Sequence, residues 1–114
     1  MRIVNLSRGS LLADSCRLAT GYLSRTRGLL FRPPLADGEG LLIRPCQAVH
    51  TFLMGFPIDV LFLDKHNRVV HLIESMPPNR ASRFVWRAHS TLELPAGTVA
   101  RSQTRVGDLL SARS

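Results

Sequence analysis

The sequence predicts a mainly β fold: a compact antiparallel β-sandwich or barrel with one or two short helices. Two observations predict it. Short apolar runs recur along the chain and are separated by Gly, Pro, Asn or Asp, which is the pattern of short strands joined by turns. Helical periodicity is confined to one or two short segments, which argues against a parallel α/β sheet.

One domain spanning residues 1–114 is expected from the chain length, because single domains are commonest at about 100 to 150 residues. A chain of this size buries about two thirds of its unfolded surface, which is enough for a core without disulfides. Its 45% hydrophobic and 20% charged residues are ordinary values for a globular protein.

The first half of the chain reads as a hairpin, a helix and a strand. Residues 2–6 and 11–18 form the predicted hairpin, turning at residues 7–9. A helix is predicted over residues 22–31, capped by Thr20 and ended by the two prolines at 33 and 34. A strand over residues 40–43 follows.

The second half reads as further strands. They are predicted over residues 50–54, 58–64 and 69–74, with a turn at 64–68 in which Asn67 can adopt a left-handed conformation. After a long loop from residue 76 come a strand at 90–94, a helical turn at 98–102 and a last strand at 106–110.

Arginine supplies most of the net charge of +7, because Lys65 is the only lysine among 15 basic residues. Arginine suits phosphate and carboxylate recognition, but an arginine-rich, lysine-poor chain also follows from genomic base composition. The arginines are scattered, without a run of four basic residues or an aromatic stacking motif, which argues against nucleic acid as a partner. Weak nucleic-acid contact through the arginines is kept as the last alternative, and it requires one continuous basic face.

Cys16 and Cys46 lack a CxxC spacing, and the histidines lack a diagnostic metal-binding spacing, so no metal and no cofactor are predicted. No stretch approaches 18 apolar residues, and the N-terminal apolar run is too short for a secretory signal. A cytoplasmic protein without membrane contact is therefore expected.

Asp59 is the polar residue that most needs an explanation, because it immediately precedes a strongly apolar run. An unpaired buried carboxylate costs several kcal/mol, so Asp59 must point to solvent or have partners. One hypothesis pairs it with Arg25, Arg27 or Arg32 as a structural lock. The other places it beside His50 and an arginine in a pocket for a small anionic or polar ligand.

The leading functional hypothesis is a binding module for a small polar or anionic ligand or a protein partner. Its groove is predicted to lie along residues 50–59, and its candidate ligand-binding residues are Arg25, Arg32, His50, Thr51, Met54, Asp59 and Glu93. The alternative is a hydrolase-type enzyme in which His50 and Asp59 act as acid–base groups, supported by Glu93. No catalytic residue is assigned, and Glu93 itself is expected on a solvent-facing strand position.

Five motifs in order resemble the uncharacterised prokaryotic family called domain of unknown function 192, over about residues 5–110. They are Arg25-x-x-Gly28-Leu-Leu-x-Arg32, Gly40-Leu-Leu-Ile43, His50-Thr-Phe-x-Met54, Pro57-Ile-Asp59-Val-x-Phe-Leu-Asp64 and Glu93-Leu-Pro-Ala-Gly97. The resemblance implies a small, mainly β protein and no established activity.

Overall fold

The computed structural model describes residues 1–21 and 34–113. Within these ranges the chain forms eight strands and one short helix. In chain order they are β1 Arg2–Asn5, β2 Ser10–Ala13, β3 Ser15–Ala19, β4 Glu39–Ile43, β5 Ile58–Leu63, β6 Val69–Met76, β7 Ser90–Pro95, α1 Thr98–Ser102 and β8 Leu110–Arg113.

The strands form two sheets. One has three antiparallel strands in the order β2-β1-β8, and the other has five strands in the order β3-β4-β7-β5-β6. In the larger sheet only β3 and β4 run parallel, and β7 pairs antiparallel with both β4 and β5. The central strand β7 brings residues 90–95 against residues that lie about 30 and 50 positions earlier in the chain.

Side chains alternate across the five-stranded sheet, so each face has its own apolar core. The inter-sheet core lies between the two sheets and contains Ile3, Leu12, Leu61, Leu92 and Leu94 among its members. The outer core lies on the opposite face, where strand residues are covered by residues from loops. Its members include Leu41, Val60 and Phe62 from strands and Val49, Met54, Phe56 and Val85 from loops.

The predicted fold class is confirmed. The described chain is mostly strand in two sheets with one short helix, and the sheets do not close into a barrel. The predicted N-terminal hairpin is present as the β1–β2 pair, but its predicted second strand over residues 11–18 is divided, because β2 pairs with β1 whereas β3 lies in the larger sheet beside β4. The predicted second hairpin is the β5–β6 pair, with Asn67 at a φ of 65° in its turn. The helical turn at residues 98–102 is α1.

Two predicted strands are wrong. Residues 50–54 are not a strand, because Leu53 has a left-handed φ of 64° and the Met54 N–H donates to the Thr51 carbonyl, which closes a turn. The last strand begins at Leu110, because Gly107, at a φ of 98°, belongs to a turn whose backbone bonds Val69 of β6. The predicted helix at residues 22–31 lies outside the described residues. In the described ranges no helix has the length and apolarity needed to cross a membrane.

Candidate functional site

Asp59 of β5 is completely buried and has backbone donors on both carboxylate oxygens. Oδ1 accepts a hydrogen bond from the Ser75 N–H at 2.7 Å, and Oδ2 accepts one from the Val99 N–H at 2.8 Å. Such bonds satisfy a buried carboxylate without a cation. In the described part of the chain Asp59 therefore has a structural role, whereas Arg25, Arg27 and Arg32, its predicted partners, lie outside that part.

The bond to Val99 explains how α1 begins. Gly97 precedes the helix and supplies no side-chain cap, although the first N–H groups of a helix need acceptors from outside it. Asp59 supplies one of these acceptors from a neighbouring strand. It also holds Ser75, which has a positive φ of 50°, at an irregular point of the β5–β6 pairing.

The predicted site residues that the structure describes do not line one groove. Asp59 lies on the face of the inter-sheet core, together with Leu94 and Val99, whereas Met54 lies in the outer core. His50 is exposed, and its Nδ1 accepts a 3.3 Å hydrogen bond from the Phe52 N–H. The geometry therefore contradicts a shared His50–Asp59 groove. Arg25 and Arg32 lie outside the described residues, and a ligand role for the individual residues stays a prediction.

Glu93 is buried at 4% exposure, not solvent-facing as predicted. It lies on the outer-core face of β7, between Leu41 of β4 and Val60 of β5. Among the described residues its Oε2 has no hydrogen-bond partner. Burial raises the pKa of this carboxyl to about 7, because the charged form loses its hydration there.

The two cysteines are free thiols without a catalytic partner in the described ranges. Cys46 Sγ donates to the Ala48 carbonyl at 3.2 Å, while the His50 imidazole bonds the Phe52 backbone instead. Burial raises the pKa of the Cys16 thiol to about 11, which keeps it protonated at neutral pH. No cluster of three or more His, Cys, Asp or Glu side chains converges within residues 1–21 and 34–113.

The described residues form a groove and a smaller pocket near β6, and neither is lined by a predicted site residue. An open groove of about 480 Å³ lies between β6 and α1, with Leu72, Glu74, Val99 and Arg105 among its lining residues. A smaller pocket of about 80 Å³ is lined by Val70, Arg83, Val85, Trp86 and Arg87. Among the described residues, the lining of the smaller pocket includes two arginines and no acidic side chain.

That pocket belongs to a surface made by residues 44–57 and 77–89, which we call the paired loops. Five backbone hydrogen bonds join them, among them Val85 N–H to the Gln47 carbonyl at 2.7 Å and Ser82 N–H to the Val49 carbonyl at 2.8 Å. Buried Thr51 adds a side-chain link, because its hydroxyl donates to the Pro77 carbonyl at 2.6 Å and accepts from the Arg80 N–H at 2.9 Å. The loops therefore hold a fixed shape.

The paired loops carry positive charge and exposed rings together. Residues 44–57 and 77–89 contain four arginines, two histidines and no Asp or Glu. Three of the arginines, Arg80, Arg83 and Arg87, are exposed. Four of the seven large hydrophobic side chains that are exposed in the described ranges also lie here: Phe52 at 47%, Leu53 at 68%, Phe84 at 62% and Trp86 at 76%.

Sequence reasoning named part of this surface, since the predicted groove along residues 50–59 overlaps residues 44–57, but it missed residues 77–89 and their arginines. The arginines are separated along the chain by apolar residues, so no basic run marks them. The available signal was the absence of any acidic residue from Ser75 to Leu92, combined with aromatic residues between arginines.

The fold and these sites define a class of protein: a small two-sheet β protein whose paired loops expose basic and aromatic side chains. The chain belongs to the DUF192 family, described as an uncharacterized ACR, whose model matches residues 3–112. The resemblance predicted from the motifs is thereby confirmed.

Relatives and solved structures agree with this membership. A UPF0127 protein of Pyrococcus horikoshii is 32% identical over 109 residues, covering 93% of this chain and 94% of the relative. A solved Novosphingobium aromaticivorans protein of unknown function has a TM-score of 0.82 at 21% identity, over 97% of this chain and 82% of that one, which shows the fold alone. A Sinorhizobium meliloti protein, named provisionally as a transcription regulator, has a TM-score of 0.79 at 27% identity, over 96% and 89% of the two chains.

Proposed function

We propose that this protein is a binding module that recognises an anionic partner on the paired loops. One observation carries the proposal: residues 44–57 and 77–89 expose three arginines beside four apolar side chains and contain no acidic residue. Surfaces that are both basic and aromatic bind anions that carry a planar or apolar part, since guanidinium groups bond the charge and rings cover the rest.

Preorganisation supports the same proposal. The backbone hydrogen bonds between Gln47 and Val85, and between Thr51 and Arg80, hold the exposed side chains on a defined backbone before any ligand arrives. A site that is ordered in advance loses less conformational entropy on binding than a flexible loop does. The arginines also lack acidic neighbours within the two loops, so they need not break an ion pair there to accept a ligand.

An enzyme that uses His50 and Asp59 has less support. Both Asp59 oxygens already accept backbone hydrogen bonds, and Asp59 lies on the other side of the five-stranded sheet from the outer core. A general base must be within hydrogen-bond reach of the proton that it removes. A cytoplasmic location remains part of the proposal, with the free thiols of Cys16 and Cys46 as its support.

Trp86 provides a direct test, because it is the only tryptophan and 76% of it is exposed. We expect ATP and inorganic tripolyphosphate to change its fluorescence at low salt, with an affinity that falls as salt is added. An Asp- and Glu-rich peptide tests a protein-like anion in the same assay.

The test uses two double variants. Arg83→Gln with Arg87→Gln alters the proposed site, and Arg2→Gln with Arg17→Gln is the control. Each pair removes two positive charges from exposed positions, but only the first pair lies on the paired loops. The first pair is expected to weaken anion binding at least about 10-fold, as the loss of two charge-assisted contacts predicts. Equal weakening by both pairs would show that net charge alone is responsible and would overturn the proposed site.

A further inference from the structure

The segment Arg83-Phe84-Val85-Trp86-Arg87 presents its side chains in an alternating arrangement. Val85 is 4% exposed and packs in the outer core, whereas Phe84 is 62% exposed and Trp86 is 76% exposed. Trp86 and Arg87 lie in a turn that the Ala88 N–H closes by donating to the Val85 carbonyl at 2.9 Å. Phe84 and Trp86 are therefore both exposed on either side of buried Val85, and each has an arginine next to it in sequence.

Hydrogen bonds to the other loop fix this arrangement. The Val85 N–H donates to the Gln47 carbonyl at 2.7 Å, and the Gln47 side-chain Nε2 donates to the Trp86 carbonyl at 2.8 Å. The buried Val85 side chain closes the underside of the small pocket, which also contacts Val70 of β6. The backbone that carries the two rings is thus held by the other loop and by the packing of Val85 in the outer core.

The charged side chains next to the two rings in the sequence are arginines, so the charge there is positive. Arg83 and Arg87 both line the small pocket with Trp86, and exposed Arg80 lies three residues before Arg83. Arg83 also lies near His71 of β6, where burial and the Arg83 charge lower the pKa of the imidazole and favour its neutral form. The nearest acidic residues along the chain are Glu74 and Glu93, outside the paired loops, and Glu93 is buried on the sheet.

From these observations we propose that the partner of the paired loops is a single-stranded nucleic acid, whose bases stack on Phe84 and Trp86 and whose phosphates bond Arg80, Arg83 and Arg87. This inference rests on the proposed anion-binding function and names its partner. Single-strand binding surfaces combine aromatic platforms with a positively charged track, because every base has a face that can stack.

The structure favours this partner over an anionic membrane surface. Two flat rings, each adjacent to an arginine, match a polymer in which planar bases alternate with phosphates. A membrane-binding loop instead inserts a continuous apolar face and keeps its basic residues at the lipid headgroups. Duplex nucleic acid is also disfavoured, since its bases are already stacked and cannot reach the rings.

The test measures binding of the full chain to fluorescein-labelled dT10 and rU10 by fluorescence anisotropy. A 10-base-pair duplex and phosphatidylserine vesicles are tested for comparison. Both single strands are expected to bind more tightly than the duplex or the vesicles. Tighter binding of dT10 indicates that the partner is DNA, and tighter binding of rU10 indicates that it is RNA. Circular dichroism confirms that each variant is folded.

Ring and arginine variants are expected to give different signatures. Trp86→Ala and Phe84→Ala should each weaken binding about 10-fold without changing its salt dependence, because each removes a stacked base. Trp86→Phe should retain most of the affinity, and Leu6→Ala, at another exposed apolar position, should have no effect. Arg83→Gln with Arg87→Gln should lower the slope of log K against log salt by about 1.4, since two phosphate contacts are lost.

Vesicle binding without oligonucleotide binding, or ring variants that behave like Leu6→Ala, would overturn the inference. In those cases, loss of ATP or tripolyphosphate binding in the Arg83 and Arg87 variant would still support the anion-binding function with another partner. If that variant bound all anions as the unmodified chain does, both the function and the inference would be wrong.

Discussion

The Asp59 carboxylate bonds the backbone N–H of Val99 at 2.8 Å across 40 residues of sequence, and so connects the buried strand β5 to the start of α1. The same carboxylate bonds the Ser75 N–H, which connects β5 to the irregular end of β6. One buried side chain therefore fixes the relative position of three elements, since a completely buried carboxylate stays favourable only while both donors are in place.

The first prediction concerns Asp59→Asn. The asparagine side chain retains one oxygen but presents an NH₂ group to one of the two backbone donors. We expect the free energy of unfolding to fall by about 2 to 3 kcal/mol, the usual loss for buried hydrogen bonds to a charged group. Urea denaturation measures it, and Asp37→Asn at an exposed loop position is the matched control. An unchanged melting temperature would contradict the structural role of Asp59.

The second prediction concerns Glu93 and pH. Because burial raises the folded-state pKa from 4.5 to about 7, the folded state retains a proton that the unfolded state has lost between these values. The contribution of this group is thus fully present below about pH 4.5 and is lost as the pH rises through 7. Its size is about 3 kcal/mol.

Glu93→Gln should remove this pH dependence. The variant is expected to be more stable than the unmodified chain at pH 8, and the two should converge near pH 5. Urea denaturation at several pH values from 5 to 8 gives the difference directly, which cancels the other titrating groups. Glu74→Gln, at an exposed position of β6, controls for the lost charge. A constant difference across this range would mean that Glu93 is ionised in the folded state.

The third prediction concerns Asp108, whose pKa has the opposite direction. Burial alone would raise this pKa, but hydrogen bonds to the carboxylate lower it overall. Oδ2 accepts them from Asn5 Nδ2 at 3.0 Å, the Arg105 N–H at 2.9 Å and Arg8 Nε at 3.1 Å. Stability from this group is therefore present above the unfolded value near 4 and is lost as the pH falls through the lower folded value.

Asp108→Asn is expected to lower the free energy of unfolding at pH 7 by about 2 kcal/mol. The deficit should shrink below pH 4, where the unmodified chain also loses its charged acceptor. Acid and urea titrations of the variant, of Asp37→Asn and of the unmodified chain measure this. A deficit that grows at low pH would contradict the assigned direction.

The fourth prediction concerns Thr51, which is completely buried between the paired loops. Thr51→Val keeps the shape of the side chain but leaves the Arg80 N–H and the Pro77 carbonyl without their hydroxyl partner. We expect a loss of about 1 to 3 kcal/mol in stability and faster hydrogen exchange at residues 79–82. Anion binding should weaken in parallel.

Ser15→Ala is the control for Thr51→Val, because Ser15 also carries a hydroxyl but is exposed on β3. Unchanged exchange at residues 79–82 in the Thr51 variant would show that backbone hydrogen bonds alone hold the loops together. In that case the contribution of Thr51 to preorganisation would be rejected, and the arginine variants would remain the test of the binding site.

The sequence determined the mainly β fold, the β1–β2 and β5–β6 hairpins and the helical turn α1, because apolar alternation and turn residues act over a few neighbouring positions. It also identified Asp59 as a residue that needs partners. Those partners, Ser75 and Val99, lie 16 and 40 residues away, and no local sequence pattern predicts them.

Only the tertiary structure decided which side chains face solvent in Phe84-Val85-Trp86. All three residues are apolar, and local sequence does not say which one is buried. The pairing of Val85 with Gln47, 38 residues earlier, turns Val85 into the outer core and leaves both rings outside. The same segment brings Arg83, Arg87 and Trp86 around one small pocket, and long-range backbone hydrogen bonds set the register of the two loops.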